Sequence, residues 1–144
     1  MKKSESVGRW ISALYRYTRI YIDKEFERFQ IGSGQHHVLM VLYKNDGINQ
    51  EAISKVLNLD KATIARAVNK LINHGYVQRT TDPKDHRAYI LHVTHKGKKI
   101  EPEIKKTLSH ISSILLTGFN QREKETALRL LKKMYQNMIS IDLT

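Results

Sequence analysis

Polar and small side chains recur at helical spacing between residues 61 and 73 of this 144-residue chain. At about 100° per residue, one arc of the projected helix collects Ala62, Thr63, Arg66, Asn69, Lys70 and Asn73, with Lys61 at the helix start. The opposite arc is apolar and consists of Ile64, Ala65, Val68, Leu71 and Ile72. An arginine can pair with guanine through two hydrogen bonds and an asparagine with adenine, while small side chains let a helix enter a groove. The polar arc therefore suits the major groove of duplex DNA, although in one isolated helix the same pattern also describes an ordinary solvated face.

A second basic group follows in the turn-rich segment 81–87. Lys84, His86 and Arg87 lie at its tip, where an extended basic finger could reach a minor groove beside the helix. Narrow minor grooves concentrate negative potential and attract an inserted arginine such as Arg87. Asp85 would be repelled by phosphate if it faced the DNA, so it serves either to orient Arg87 or to form the turn.

The neighbouring sequence predicts the elements that position these two groups. Asn49 can cap a short helix, and Asp60 can cap the helix over 61–73. The hydrophobic period then changes from helical to two in residues 76–80 and 88–94, which predicts a β-hairpin around the basic tip. A short helix, a tight turn, a second helix and a hairpin form a winged helix-turn-helix unit, and this context favours DNA binding.

Longer amphipathic helices flank this unit. Apolar residues at helical steps predict a first helix over 7–29. Thr94 can cap a helix that runs to about Phe119, in which Pro102 marks either a kink or the true first turn. The motif Asn120-x-x-Glu123 predicts a capping box at the start of a last helix. The apolar stripes of these helices are longer than one small lobe can cover, which predicts a dimer.

The composition agrees with a polyanionic partner. The chain has 25 Lys and Arg against 14 Asp and Glu, for a formal charge of +11. Residues 60–99 hold nine of these bases and three of the acids, so +6 of the charge falls there. An excess of this size points to nucleic acid or to an anionic membrane surface. The absence of cysteine excludes thiol sensing and disulfides, and with no secretion signal or long apolar span the expected location is the cytoplasm, away from membranes.

The segments that closely resemble the MarR family (multiple antibiotic resistance regulators) are 59–71, 75–79, 82–87 and 91–97. The flanking helices also match in number, order and length. The resemblance implies a homodimer with intertwined first and last helices, a pseudo-palindromic operator, repression, and release by a small phenolic or other anionic ligand. The family wing commonly reads Asp-x-Arg-Asp-Arg-Arg; here His86 replaces one arginine, which weakens the tip contact at neutral pH, while Asp85 and Arg87 match.

The resemblance also suggests where an effector would bind. An anionic aromatic ligand between the dimerisation helices and the DNA-binding lobe would need a cation beside aromatic rings. The candidate residues are Trp10, Tyr15, Arg16, Arg19 and His36. Each of them also fits an ordinary core or surface position.

Other classes of function fit the sequence less well. Some relatives of the family sense zinc, and Glu25, His36, His37 and His110 are possible ligands, but they show no tight metal-binding spacing. No phosphate loop, nucleophile elbow or pair of catalytic carboxylates suggests an enzyme. A winged-helix protein-interaction module without DNA readout is the remaining alternative, and it would not need basic residues on both the helix and the hairpin.

The sequence thus predicts a mainly α fold with a small β-hairpin wing, in a single domain over residues 1–144. Residues 1–30 and 95–144 are predicted to form dimerisation helices, and residues 31–94 the winged helix-turn-helix lobe. The predicted function is sequence-specific regulation of transcription on double-stranded DNA, as a repressor released by a small ligand. We expect a second copy of the chain and a small anionic aromatic effector as partners, and no cofactor, metal or enzymatic activity.

Overall fold

The computed structural model describes residues 5–32 and 34–143. These residues are mainly helical with one antiparallel β-hairpin, as the sequence predicts. In chain order the elements are α1 (Val7–Phe26), α2 (His36–Lys44), α3 (Gln50–Leu57), α4 (Lys61–Asn73), β1 (Val77–Asp82), β2 (Asp85–Val93), α5 (His95–Lys99), α6 (Glu101–Leu115) and α7 (Gln121–Ile139). The chain divides into two compact units, Met1–Leu108 and Ser109–Thr144. None of the described helices is long and apolar enough to cross a membrane.

Side-chain caps start three helices of the first unit at the predicted positions. The Asn49 side chain accepts a backbone N–H of the first turn of α3 at 2.8 Å. Asp60 does the same for α4 at 3.2 Å, and Thr94 for α5 at 3.1 Å. Because each cap satisfies a donor that the first turn leaves without an intrahelical partner, these short helices are fixed at their first residues.

Several helix boundaries differ from the prediction. The first helix ends at Phe26, and a 3₁₀ turn over Glu27–Phe29 follows it. The long helix expected after Thr94 is divided into α5 and α6, and Pro102 lies in the first turn of α6, where its missing N–H removes no intrahelical bond. Helix α6 ends at Leu115, four residues before the predicted end, and Gly118 then takes a φ of +85° in the turn that follows.

The core of the first unit is built from apolar side chains of α1 to α4, the hairpin and the start of α6. The side chains with almost no exposed surface include Phe26, Leu39, Leu42, Ile53, Ile64, Leu71, Leu91 and Ile104. Ile53 is the buried residue of α3, whereas Val56 of the same helix is 61% exposed. Helix α3 packs on the side that meets α2, α4 and β2, so its buried face is narrow.

The hairpin, which we call the wing, is longer than the sequence predicts. Its register is regular from Val77 opposite Val93 to Thr81 opposite Tyr89, and it then shifts at a bulge so that Asp82 lies opposite Asp85 and only Pro83 and Lys84 remain in the turn. The predicted polar tip over 81–87 is therefore mostly strand. Both aspartates stabilise the turn: Asp82 accepts the Lys84 N–H at 2.9 Å, and Asp85 accepts the N–H two residues later at 3.1 Å.

Both ends of the wing are joined to the end of α4 at a junction formed by residues 74–76 and 94–97. Thr94 donates its N–H to the Tyr76 carbonyl at 3.0 Å and its hydroxyl to the Gly75 carbonyl at 2.6 Å. Lys96 donates to the His74 carbonyl at 2.6 Å. A Cβ on Gly97 would overlap the Tyr76 carbonyl oxygen, so the backbones approach each other as closely as glycine alone permits. Thr94, Lys96 and Gly97 thus form a packing motif.

The second unit contains the end of α6 and α7. Helix α7 begins with the predicted capping box, in which Asn120 accepts the Glu123 N–H and Glu123 accepts the Asn120 N–H. The predicted apolar stripe of α7 is exposed in the single chain: Leu128, Leu131, Met134, Tyr135 and Met138. A stripe of this length is what a second protein surface would be expected to cover.

We expect Gly97→Ala to lower the free energy of unfolding by about 1–3 kcal/mol, because the new Cβ overpacks the junction. It would meet the Tyr76 carbonyl oxygen and lie 2.6 Å from Val93 Cγ1. Gly34→Ala is the matched control, since no described atom beyond its chain neighbours lies within 4 Å of a Cβ there. Urea unfolding at one protein concentration compares the two variants, and equal losses would contradict the close approach at Gly97.

Candidate nucleic-acid interface

The polar arc predicted for residues 61–73 forms the outer face of α4. Ala62, Arg66, Asn69 and Lys70 are exposed, as are Lys61 and Asn73, and Thr63 is half-buried. The buried side chains of α4 are Ile64, Ala67, Val68 and Leu71. Ala67, which the projection assigned to neither arc, is thus buried, and the predicted core residues Ala65 and Ile72 are only half-buried. Because α4 packs against α2, α3 and β1, its buried face is turned toward Ala67.

A chain of hydrogen bonds holds Arg66 on this face. The Thr63 hydroxyl donates to Asp60 Oδ1 at 2.5 Å and accepts from Arg66 Nη2 at 3.3 Å. The side-chain and backbone hydrogen bonds from Thr63 hold the pKa of Asp60 below its ordinary value, so the carboxylate is charged at neutral pH. Thr63, which the sequence assigned to close approach to DNA, therefore also positions the arginine at the centre of the face.

The basic residues of the wing are exposed to solvent. Lys84, His86 and Arg87 are all exposed at or beside the two-residue turn. Asp85 binds the backbone N–H of Arg87, and no ion pair joins the two side chains in the described part of the chain. The sequence left two roles open for Asp85; this geometry supports the turn residue, and the role of orienting the Arg87 side chain has no contact to support it.

Arg79 of β1 is a residue of this surface that the sequence analysis missed. Its Nη2 atom donates to Gln50 Oε1 of α3 at 3.1 Å and to Asn69 Oδ1 of α4 at 3.3 Å. Its guanidinium carbon lies 5.6 Å from the centroid of the Tyr89 ring. The two-residue period of the strand contained the signal, because it places Arg79 on the same face as the buried Val77 and thus toward the helices.

Asp46, in the loop between α2 and α3, anchors the base of the wing. Its carboxylate accepts the Val93 N–H at 2.7 Å and lies 3.0 Å from His92 Nδ1. Beside it, the Gly47 N–H donates to Leu91 O and the Leu91 N–H donates to Ile48 O. Burial alone would raise the pKa of Asp46, but the hydrogen bonds and the nearby positive charges outweigh it and lower that pKa. The loop therefore fixes the direction in which the wing leaves the lobe.

A separate cavity of about 580 Å³ lies within the first unit, lined by α1, the start of α2 and the connection into α4. Its lining includes Tyr15, Arg19, His36, His37, Leu59 and Thr63. Trp10 and Arg16, the other two predicted effector residues, are not among the residues that line it. His36 is 2% exposed, and its ring centroid lies 3.9 Å from that of His37, whose pKa is lowered by burial. The lining of the cavity thus combines aromatic rings with one arginine.

The metal-sensing alternative gains no support from the geometry. Within residues 5–32 and 34–143, no three His, Cys, Asp or Glu side chains form a group that could hold a metal ion. The predicted candidates Glu25, His36, His37 and His110 are therefore not assembled into such a group. His36 and His37 instead belong to the lining of the cavity.

Three comparisons place the chain among known proteins. A model of the MarR family matches residues 31–89. The HTH-type transcriptional regulator YybA of Bacillus subtilis is 34% identical over 114 residues, covering 79% of this chain and 76% of YybA. A MarR transcriptional regulator from Methanosarcina mazei Go1 has 44% sequence identity to this chain. Its structure superposes with a TM-score of 0.86, and the match covers 99% of this chain and 95% of the Methanosarcina mazei chain. A MarR-family structure from Listeria monocytogenes, complexed with 26mer DNA, is 26% identical with a TM-score of 0.85 over 96% of this chain and 90% of its own.

Asp46→Ala is expected to destabilise the fold by about 1–3 kcal/mol, because it leaves the buried Val93 N–H without its acceptor. The pKa of Asp46 is lowered in the folded state, so its contribution is fully present above the unfolded pKa of about 4 and is lost as the pH falls through the folded pKa. Urea unfolding between about pH 5 and about pH 2.5 should show the difference between parent and variant shrinking with acid. Asp46→Asn is the control: its difference from Asp46→Ala should stay constant, since neither side chain titrates.

Proposed function

The chain belongs to the MarR family of transcriptional regulators, and we propose that it is a homodimeric repressor of a pseudo-palindromic operator, released by a small anionic aromatic ligand. The observation that carries this proposal is the pairing of an exposed polar face on α4 with a basic wing fixed beside it. A regulator of this kind works at the chromosome, and the cytoplasm is the location that we propose.

In the proposed complex, α4 enters the major groove. Arg66 contacts a guanine edge, and Asn69 contacts a neighbouring base. Lys61 and Lys70, near the two ends of the face, neutralise phosphates, while Ala62 and Thr63 permit close approach of the helix. The Listeria monocytogenes protein is complexed with 26mer DNA, which supports DNA as the partner of this chain.

The wing is proposed to contact an adjacent minor groove. Arg87 enters it, and Lys84 and His86 lie against the flanking phosphates. The acidic groups of the wing do not oppose this approach strongly, because Asp82 and Asp85 are engaged with backbone N–H groups of the turn. The protein-interaction alternative gives no role to this exposed basic group.

Dimerisation is assigned to residues 1–30 and 95–144, and DNA binding to residues 31–94. The support is the apolar surface that these helices leave exposed in the single chain. It includes Trp10 and Leu131, each of which is 56% exposed. Burying such stripes against a second copy removes them from water. A two-fold dimer would then set its two α4 helices about 34–36 Å apart. This distance is one helical turn of DNA and matches the spacing between the two half-sites of an inverted repeat.

The cavity beside α1 is the proposed effector site. Arg19 would pair with the anionic group of the ligand, while Tyr15 and His36 would contact its ring. Thr63 also lines the cavity and holds Arg66 through its hydroxyl, so a ligand there touches the first turn of α4. Release of DNA requires that the ligand binds more tightly to the form that does not fit the operator.

Arg66→Ala and Lys70→Ala are expected to weaken operator binding in different ways. Loss of Arg66 should relax specificity, costing about 1–3 kcal/mol at the preferred base. Loss of Lys70 should lower the affinity for all sequences alike and reduce the salt slope by about one released counterion. Fragments selected from the source genome with purified protein supply the operator, and binding is measured at several salt concentrations.

Unchanged operator binding by Arg66→Ala would contradict the placement of α4 in the groove. Sedimentation of the same protein at micromolar concentration tests the dimer, and a stable monomer that binds the operator would contradict it. A protein that selects no DNA at all would instead support the interaction-module alternative.

Salicylate and related benzoates, titrated into a preformed complex with the operator, are expected to lower DNA affinity. A coupling of about 1–3 kcal/mol corresponds to a loss of roughly 5–150-fold. Arg19→Met should remove this response without changing ligand-free binding. Arg16→Met is the matched control on the same helix, because Arg16 does not line the cavity and its loss should leave the response intact. Equal responses of the two variants would contradict the assignment of this cavity.

A further inference from the structure

We propose that Arg79 is a specificity-determining positioning residue. It orients the Asn69 amide so that this side chain donates to guanine and does not form the two-bond pair with adenine. The inference rests on the proposed placement of α4 in the major groove, and it names the base that one side chain of that helix reads.

The guanidinium of Arg79 is held by three elements of the lobe. Its Nη2 atom donates to Asn69 Oδ1 on α4 at 3.3 Å and to Gln50 Oε1 on α3 at 3.1 Å. On the wing, its guanidinium carbon lies 5.6 Å from the centroid of the Tyr89 ring. The position of the guanidinium is therefore set by both helices of the helix-turn-helix and by the wing.

The chemistry of the contact decides which end of the Asn69 amide faces the DNA. A guanidinium has only donors, so the group that meets Arg79 must be the amide oxygen. The amide NH₂ is then the end that remains for another partner. Within the described residues, no protein acceptor takes a hydrogen bond from Asn69 Nδ2.

The two purines differ in what they offer to such a group. The pair between asparagine and adenine uses the amide oxygen to accept from N6 and the amide NH₂ to donate to N7. With Arg79 on one of the two lone pairs of the oxygen, the N6 amino group has to share that acceptor with a cation, which weakens the second bond of the adenine pair. Guanine presents the acceptors O6 and N7 and makes no demand on the amide oxygen. The orientation of the Asn69 amide thus favours guanine, although an asparagine without Arg79 beside it would be expected to pair with adenine.

The experiment selects bound operators from a DNA library and compares base preferences among variants. Asn69→Ala identifies the base position that Asn69 reads, as the position where a preference disappears. The parent should prefer guanine to adenine there. Arg79→Met keeps the side-chain stem but removes its donors, so the amide can rotate and the preference for guanine over adenine should fall by about tenfold.

Two further variants separate positioning from a general loss of charge or stability. Lys84→Met removes one positive charge from the wing tip and should lower affinity for all bases alike, with no change at the Asn69 position. In the Asn69→Ala background, Arg79→Met should no longer change the preference at that position, because the group it orients is absent. Thermal unfolding of each variant reports whether the fold is kept.

If Arg79→Met does not fold, Arg79→Lys takes its place and should give a smaller loss of guanine preference, since a lysine offers a mobile point donor. The inference is overturned if the Arg79 variants keep the parent's base preference, if the parent prefers adenine at that position, or if Asn69→Ala changes no position. A parent protein that selects no DNA sequence would overturn the proposed function, which is a separate outcome.

Discussion

The close approach of the Gly97 backbone to the Tyr76 carbonyl is the constraint on which the geometry of the lobe depends. Tyr76 links the end of α4 to β1, and Thr94 links β2 to α5, so this contact joins both ends of the wing to one end of α4. The Tyr43 hydroxyl donates to the Gly97 carbonyl at 2.6 Å and adds α2 to the same point. Every hydrogen bond that links these elements at the junction is accepted by a backbone carbonyl, and none of them involves a side chain on the outer face of α4, so the angle between α4 and the wing is largely independent of the side chains that face outward.

Acidic residues within the most basic part of the chain have a structural task. Asp60 starts α4, while Asp82 and Asp85 form the wing turn, and each carboxylate accepts a backbone N–H. A carboxylate at the start of a helix also opposes the positive end of the helix dipole. These acidic residues thus order the elements that carry the basic residues. Their negative charges are stabilised by hydrogen bonds from backbone N–H groups.

Local features of the sequence predicted most of the fold, because they depend on neighbours within one turn. Asn49, Asp60, Thr94 and the Asn120–Glu123 box cap the helices as expected, and the outer face of α4 follows from its helical period. The link from Arg79 to Asn69 could not be found in this way, because it joins a strand to a helix. Strand parity indicated only the side on which Arg79 lies.

The limits of the prediction are clearest at the cavity. Helical spacing placed Trp10 and Arg16 near Tyr15 and Arg19, but a cavity is formed by several elements, and only the latter two line it with His36. The extra length of the wing strands was missed for a related reason. Residues 81–87 are polar and rich in turn formers, and the cross-strand register that extends the ladder to Asp82 and Asp85 is not encoded by local composition.

The two-residue turn of the wing has a thermodynamic consequence. With Asp82 and Asp85 each binding a backbone N–H, the backbone at the tip is ordered before any partner arrives. In the proposed complex, entry into a groove would restrict the long side chains of Lys84 and Arg87 without having to order a loop, so the entropic penalty of association would be small at this point. The contribution of the wing to the heat-capacity change of complex formation should accordingly come from the surface that binding removes from water. It should not include the further heat-capacity change that folding of a loop on binding would add.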